Sequence, residues 1–315
     1  MKNTIKYNVS NDEDNIRIDR WLRRKFSKLP QSFFEKKLRK GLIRLNKKII
    51  KANTKVLSGD WVEIRDFDES IYAKKIINKN IKLSKTIITK FKNSIIFENE
   101  DYMIINKWKG IATQGGSNIV YSIDEIIKNL SPKISLVHRL DKETSGALLI
   151  SKNYKTSRFF GNLFKEKKIN KIYLAVCNKC PREKSGIIKL KINKHKKRKD
   201  LIKSSRNVTE SITEYKLLEY KNNVSTILFF PVTGKMHQIR IVAKYIGCSV
   251  LGDNKYGNFI ADNKIDKLML HSFAISFVYN NEKKLYFAKL DPEMTKNFKK
   301  LGLKIPKENS IRQYF

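Results

Sequence analysis

His138-Arg139-Leu140-Asp141-Lys142-Glu143-Thr144-Ser145-Gly146 gathers a base, a long planar cation, a carboxylate and two hydroxyls into one short polar run. The apolar stretch Ala147 to Ile150 follows at once and reads as a strand. The polar cluster therefore sits at the edge of a sheet, where a rigid scaffold can hold loop side chains in fixed positions. That is a place for a catalytic carboxylate. An Asp-x-x-Thr taken alone is more simply a turn whose Asp and Ser bond the local backbone; the whole string points to chemistry.

Composition bounds what such a site could act on. At 315 residues and 41% hydrophobic content, the chain can bury a sizeable core in one large domain, or in a large and a small one. Lys and Arg number 67 against 30 Asp and Glu, a formal net charge of +37, so a large anionic partner is expected, with nucleic acid foremost. The abundance of Ile and Asn beside Lys is also what an AT-rich genome inflates, so the charge supports this reading without carrying it. No membrane partner is expected, because no run of about 18 apolar residues occurs. Met1 to Asn15 lacks the apolar centre of a secretory signal, which predicts a cytoplasmic protein. The odd number of cysteines argues against a disulfide framework. Cys177 and Cys180 form a C-x-x-C with no second ligand pair, only Cys248 and His195 being recruitable from afar, so no metal is expected.

The pattern divides the chain into residues 16–65, a basic linker at 66–92 and a larger domain at 93–305. In the first part Ile18, Trp21, Leu22 and Phe26 recur at helical spacing. Ser32 and Glu35 form a capping-box pattern for a second helix that stops at Gly41. Strands are predicted at Leu42 to Leu45 and Trp61 to Ile64. In the larger part, short runs rich in Ile, Val and aromatics predict strands at 94–97, 103–105, 147–150, 172–176 and 227–230. Helices are predicted at 123–130, 156–165 and 236–246, the last stopped by Gly247. This order fits an α+β fold with a mixed, mainly antiparallel sheet.

The motifs now converge. His138 to Gly146 resembles the HRLDxxTSG signature of the RluA/RluC/RluD family of pseudouridine synthases. Thr233-Gly234-Lys235-Met236-His237-Gln238-Ile239-Arg240 is similar to that family's TGRxHQIR motif, with Lys235 replacing Arg and Val242 standing where His is common. Lys171-Ile172-Tyr173 resembles its K-x-Y strand, and Leu270-His271-Ser272 its LH-[AS] strand. Asn106-Lys107-Trp108-Lys109-Gly110 matches its N-K-P-x-G segment except for Trp108, which releases the φ that proline would fix. Arg17 to Arg20, Lys40 to Asn46 and Gly59 to Val62 resemble the S4 RNA-binding domain.

The resemblance implies an isomerase that converts uridine in RNA to pseudouridine without a cofactor. Asp141 would be the catalytic carboxylate, attacking C1′ or promoting a glycal, and Arg240 would pair with it and keep it ionised. Tyr173 would stack on the uracil and remove the C5 proton, while Arg139 would fill the space left by the flipped nucleotide. His138, Thr144 and Lys107 would complete the substrate site, and His271 would be structural. In the S4-like unit Lys36, Lys37, Arg39, Lys40 and Arg44 would contact the RNA backbone. Gly115-Gly116-Ser117 is most similar to the RluC-type members, which implies 23S rRNA, free or in an assembling large subunit, as substrate at several uridines, with no obligate protein partner and a monomeric enzyme.

Other readings remain open from sequence. An RluD-type specificity is the nearest, and a non-catalytic S4-type ribosome-assembly protein the next. An S4-linked methyltransferase would need a glycine-rich cofactor loop between a strand and a helix, which Gly110, Gly115 and Gly116 do not supply. A glycosidase using Asp141 and Glu143 lacks an aromatic sugar platform.

Overall fold

The computed structural model describes residues 4–26, 29, 31–67, 83–115, 121–193, 208–257 and 265–315. The chain divides into two units, Met1–Lys82 and Leu83–Phe315. Most of the expected linker, together with Gly116, Ser117 and His195, lies outside the described residues.

The first unit contains strands β1 (Thr4–Asn8), β2 (Ile16–Arg17), β3 (Ile43–Leu45), β4 (Lys48–Ile49), β5 (Lys55–Val56) and β6 (Trp61–Arg65), with helices α1 (Ile18–Lys25) and α2 (Gln31–Arg39). β1 was not expected; it pairs antiparallel with β6 and edges a sheet ordered β1-β6-β3-β4. The periodic residues Ile18, Trp21, Leu22 and Phe26 are all buried against Phe34, Leu38, Val62 and Ile64. The predicted capping box does not form, because Ser32 lies inside α2; Glu35 instead accepts from the Gln31 side chain at 2.8 Å. Gly41 ends α2 as expected, with φ +67 and the Leu42 amide returning to the Lys37 carbonyl at 3.0 Å.

The second unit is built on β7 (Ile95–Glu98), β8 (Tyr102–Lys107), β9 (Ser135–Leu136), β10 (Ser145–Ser151), β11 (Asn170–Asn178), β12 (Ser185–Asn193), β13 (Val208–Lys221), β14 (Val224–Pro231), β15 (Leu270–Tyr279) and β16 (Glu282–Phe287). Its helices are α3 (Lys85–Asn93), α4 (Ile123–Leu130), α5 (Tyr154–Lys165), α6 (Gln238–Tyr245), α7 (Pro292–Lys300) and α8 (Glu308–Arg312). α3 falls inside the stretch expected to be linker, and α8 lies past residue 305 with Ile311 buried.

The sheet runs β12-β13-β14-β11-β15-β10-β8-β7, with β16 on β15 and β9 on β10. The pairings are antiparallel except β10 with β15, so the α+β class with a mainly antiparallel sheet holds. Every residue of β10 is buried, and the strand alternates between two cores. Leu148 and Ile150 pack with Phe91, Ile123 and Ile127 on one face; Ala147 and Leu149 pack with Phe160, Ile169 and Ile275 on the other.

Gly146 fixes the crossing of β10 and β15. Its φ is +110, and a Cβ there would lie 2.2 Å from the Ser272 carbonyl oxygen, so no side chain fits. Gly146 is opposite Ser272, and Ser272 is opposite Tyr173. This row places Tyr173 two strands, about 10 Å, from the start of β10, where the His138–Thr144 loop enters the sheet.

Candidate active site

Asp141 sits on a turn closed by the Thr144 amide, which donates to the Asp141 carbonyl at 3.1 Å. The backbone is clamped on both sides of it. On the preceding residue, Thr113 Oγ1 donates to the Leu140 carbonyl at 2.6 Å and accepts from the Leu140 amide at 3.0 Å. On the following residue, the Lys142 carbonyl accepts from the Gly110 amide at 3.0 Å and from Lys107 Nζ at 3.2 Å. The carboxylate itself keeps a side-chain exposure of 23%. The turn is thus rigid while its functional group stays open.

These contacts correct three expected substrate contacts. Lys107 is fully buried, and its ammonium donates to the carbonyls of Trp108, Ile111 and Lys142 at 3.2, 3.0 and 3.2 Å. Burial pulls its pKa down to about 7, with Glu143 and Asp141 opposing the shift. All three donors are spent on bracing the loop, so none is left for RNA. His138 Nε2 accepts from the Leu149 amide at 2.8 Å and the ring stacks on Phe164; burial, then the Lys171 charge, lowers its pKa to about 3. It is a neutral strut. Thr144 is buried and closes the turn. Arg139, by contrast, is exposed and makes no hydrogen bond or ion pair among the described residues. Trp108 packs beside the core at the α3 side, with Lys90 Nζ 5.0 Å from its ring centre.

Tyr173 is half-buried on β11 between two of the cores. Burial, then the negative charge of Asp141, pushes its phenol pKa well above the usual value, with Ser272 opposing. Tyr173 is therefore a neutral phenol beside the carboxylate.

The expected Arg240–Asp141 pair is replaced. Arg240, on α6, directs Nε and Nη2 to the two oxygens of Asp253 at 2.7 and 2.5 Å. Asp253 is buried and also accepts from the Lys255 and Tyr256 amides, both at 2.9 Å. Two of the Arg240 donors are thus spent on Asp253, and no ion pair to Asp141 forms among the described residues. Asp141 acts on Arg240 only as a nearby charge: burial works against the charged form, and the Asp253 contacts, then Asp141, raise the Arg240 pKa. The basic side chain that does approach Asp141 is His237, with Nε2 3.9 Å from Oδ2.

α6 is set in place by Gln238, whose Nε2 donates to Ile212 O and Thr213 Oγ1 while its Oε1 accepts from Thr233 Oγ1 and the Lys235 amide. Beside the Arg240–Asp253 pair opens a cleft of about 380 Å³ lined by Glu143, Arg240, Gly252, Asn254, Lys255 and Lys267, among others. His271 is buried; its Nδ1 bonds Ser145 Oγ at 2.8 Å and its Nε2 the Ala288 carbonyl at 3.0 Å, a structural arrangement.

Sequence reasoning missed Thr113, Asp253 and Tyr256, and gave His237 no role. Asp253 and Tyr256 had a faint signal in Gly252-Asp253 just beyond Gly247; Thr113 had none, because its value lies in a contact across the loop. In the first unit Lys36, Arg39 and Lys40 are exposed as expected. Lys37 is not: it is buried, donating to the carbonyls of Arg65 and Asp66, and burial lowers its pKa. Arg44 is half-buried and donates to the Gly41 carbonyl at 3.3 Å.

The model of the RNA pseudouridylate synthase family matches residues 101–245, which span Asp141, Tyr173 and Arg240. Ribosomal large subunit pseudouridine synthase C of Rickettsia bellii is 41% identical over 277 residues, covering 84% of this chain and 88% of that protein. The protein of the same name from Vibrio cholerae is 31% identical, covering 88% and 90%. Among solved structures, human RNA Pseudouridylate Synthase Domain Containing 4 shares the fold, with a TM-score of 0.61 and 21% identity over 70% of this chain and 98% of that one. On this similarity over most of both sequences, the chain belongs to the RNA pseudouridylate synthase family.

Proposed function

We propose that this chain isomerises several uridines of 23S ribosomal RNA to pseudouridine, with Asp141 as the catalytic carboxylate. The reaction breaks the N1–C1′ bond, turns the base, joins C5 to C1′ and removes the C5 proton, so it consumes no electrons and no energy carrier. The observation that carries the reading is the clamped, accessible Asp141, whose charge acts on the neutral Tyr173. Asp141 attacks C1′ or promotes the glycal. Tyr173 offers its ring face to the uracil; its neutral phenol takes the C5 proton only as it hands its own proton on, with N1 of the turned base as the final acceptor, and the C5 proton is acidic once C5 has joined C1′ because its loss restores the aromatic ring. Exposed Arg139 supplies a planar cation that can occupy the place of the flipped nucleotide.

Large-subunit rRNA is favoured by the relatives' names, by the formal charge of +37 and by the exposed Lys36, Arg39 and Lys40 of the S4-like unit. Several sites are favoured by the RluC-type Gly115-Gly116-Ser117, of which Gly115 alone is described. The enzyme would act in the cytoplasm as a monomer, on free rRNA or on an assembling subunit. Among the described residues no helix is long and apolar enough to cross a membrane. The test is chemical mapping of pseudouridine in rRNA with and without the gene. Two or more 23S positions should lose modification together. Loss confined to a tRNA, or to one stem-loop of the large subunit, would overturn the multi-site rRNA assignment.

A further inference from the structure

We infer that His237 is the positioning residue for Asp141: a neutral imidazole that points an Nε2–H at the carboxylate, its tautomer fixed by Tyr256 and Lys255. The inference rests on the reading of Asp141 as the catalytic carboxylate. It starts from a vacancy in the expected chemistry: the Arg240 fork is occupied by Asp253, so the carboxylate needs another group to orient it. His237 is the basic side chain that reaches it, at 3.9 Å.

The backbone is built for this reach. His237 is the N-cap of α6 and has φ 54 and ψ 23, a left-handed conformation that a non-glycine residue keeps only where its surroundings hold it. Those surroundings are the anchored Gln238 that follows and the ring of Tyr256 against the imidazole, centres 5.5 Å apart.

The tautomer follows from the other nitrogen. Nδ1 lies 2.9 Å from the Tyr256 hydroxyl and 3.5 Å from Lys255 Nζ. An ammonium can only donate. The Tyr256 phenol stays protonated, since burial raises its pKa, with Arg240 opposing and Asp253 and Asp141 adding to the rise. The phenol can donate or accept, so it is the Lys255 ammonium that selects a lone pair on Nδ1; the Tyr256 hydroxyl then donates to the same nitrogen, and the proton falls on Nε2, facing Asp141. Burial and four groups act on the charge of this ring. Burial, Arg240 and Lys255 oppose a second proton, while Asp141 and Asp253 favour one, and the balance lowers the His237 pKa. A neutral donor orients a carboxylate without neutralising it. The present separation is about 1 Å longer than a hydrogen bond, a gap of the kind that closes when substrate fills the site.

With four histidines in the chain, the ring nitrogens of His237 can be resolved by NMR after histidine-selective ¹⁵N labelling. The expected result is an Nε2–H tautomer whose titration moves to lower pH in Asp141→Asn, because a charge that favours protonation is removed. An Nδ1–H tautomer, or a titration indifferent to Asp141, overturns the inference. Turnover is read in parallel as tritium release from a 5-tritiated large-subunit rRNA transcript. His237→Asn tolerates the left-handed backbone but cannot reach Asp141; it should lose 10–100-fold in kcat with KM within about twofold. His237→Gln, which extends an N–H donor further, should recover several-fold over His237→Asn. A His237→Asn enzyme with normal kcat, or a loss confined to KM, overturns the inference. A wild-type enzyme that releases no tritium while the NMR coupling is present would instead overturn the catalytic reading of Asp141, and with it the role of His237, leaving only the contact.

Discussion

Thr113→Val tests whether the turn that carries Asp141 is held from across the loop. Valine has nearly the shape of threonine, so packing is conserved and only the hydroxyl is lost. That hydroxyl serves both polar groups of Leu140, whose side chain is buried. Two neutral hydrogen bonds are each worth about 1 kcal/mol net, and each group left unpaired in the interior costs about 1–3 kcal/mol, so a loss of about 2–4 kcal/mol is expected. For a domain of this size that lowers Tm by about 5–15 °C. Because the turn also positions the carboxylate, kcat should fall, by up to about 100-fold for a displacement of about 1 Å. Differential scanning calorimetry and tritium release measure the two effects. Thr113→Ser, which keeps the hydroxyl and loses one methyl, is the control and should fall by only about 1 kcal/mol. A Thr113→Val protein with the Tm and kcat of the Thr113→Ser protein would refute the clamp.

Tyr173→Phe keeps the ring for stacking and removes the phenolic oxygen, so rRNA affinity in a filter-binding assay should persist while pseudouridine forms at least 100-fold more slowly; normal turnover would reduce Tyr173 to packing. Gly146→Ala introduces a Cβ 2.2 Å from the Ser272 carbonyl in a left-handed backbone, and soluble folded protein should be lost in expression and circular dichroism; a wild-type melting curve would contradict the β10–β15 crossing. His138 and His271 stay neutral in the fold down to about 3 and about 4, burial being the main cause. The unfolded chain takes up those protons below about 6.5, so stability falls as pH drops from about 6.5 and levels off below the folded values. Urea midpoints should decline between pH 7 and pH 5, less steeply in His138→Gln; equal slopes would contradict the sign.

The sequence made the strands of the second unit legible because they are buried on both faces and rich in Ile and Val. The run 147–150 sits inside β10, 172–176 inside β11, and 227–230 inside β14. α4 matches its predicted bounds, since Ile123, Ile126 and Ile127 form one stripe below the Ser122 cap. β12 and β13 were not anticipated. Ser185–Asn193 alternates Ile188, Leu190 and Ile192 with Lys189 and Lys191, Val208–Lys221 sets glutamates and lysines among its apolar residues, and the two strands pair with each other along their length. Within the site, the type of each group was legible but not its partner. A motif gives Arg240 a place on a helix; only the fold reveals that buried Asp253 reaches it first. The resemblance makes Lys37 and Lys107 RNA contacts by motif position alone, and both are buried on backbone carbonyls.

The most direct test compares purified wild-type protein with Asp141→Asn on a full-length 23S rRNA transcript, scoring pseudouridine at each position by chemical mapping and binding by filter retention. The account predicts pseudouridine at two or more positions with the wild type, none with Asp141→Asn, and RNA affinities within about twofold of each other. Modification by Asp141→Asn within tenfold of wild type would contradict the assignment of Asp141 as the catalytic carboxylate.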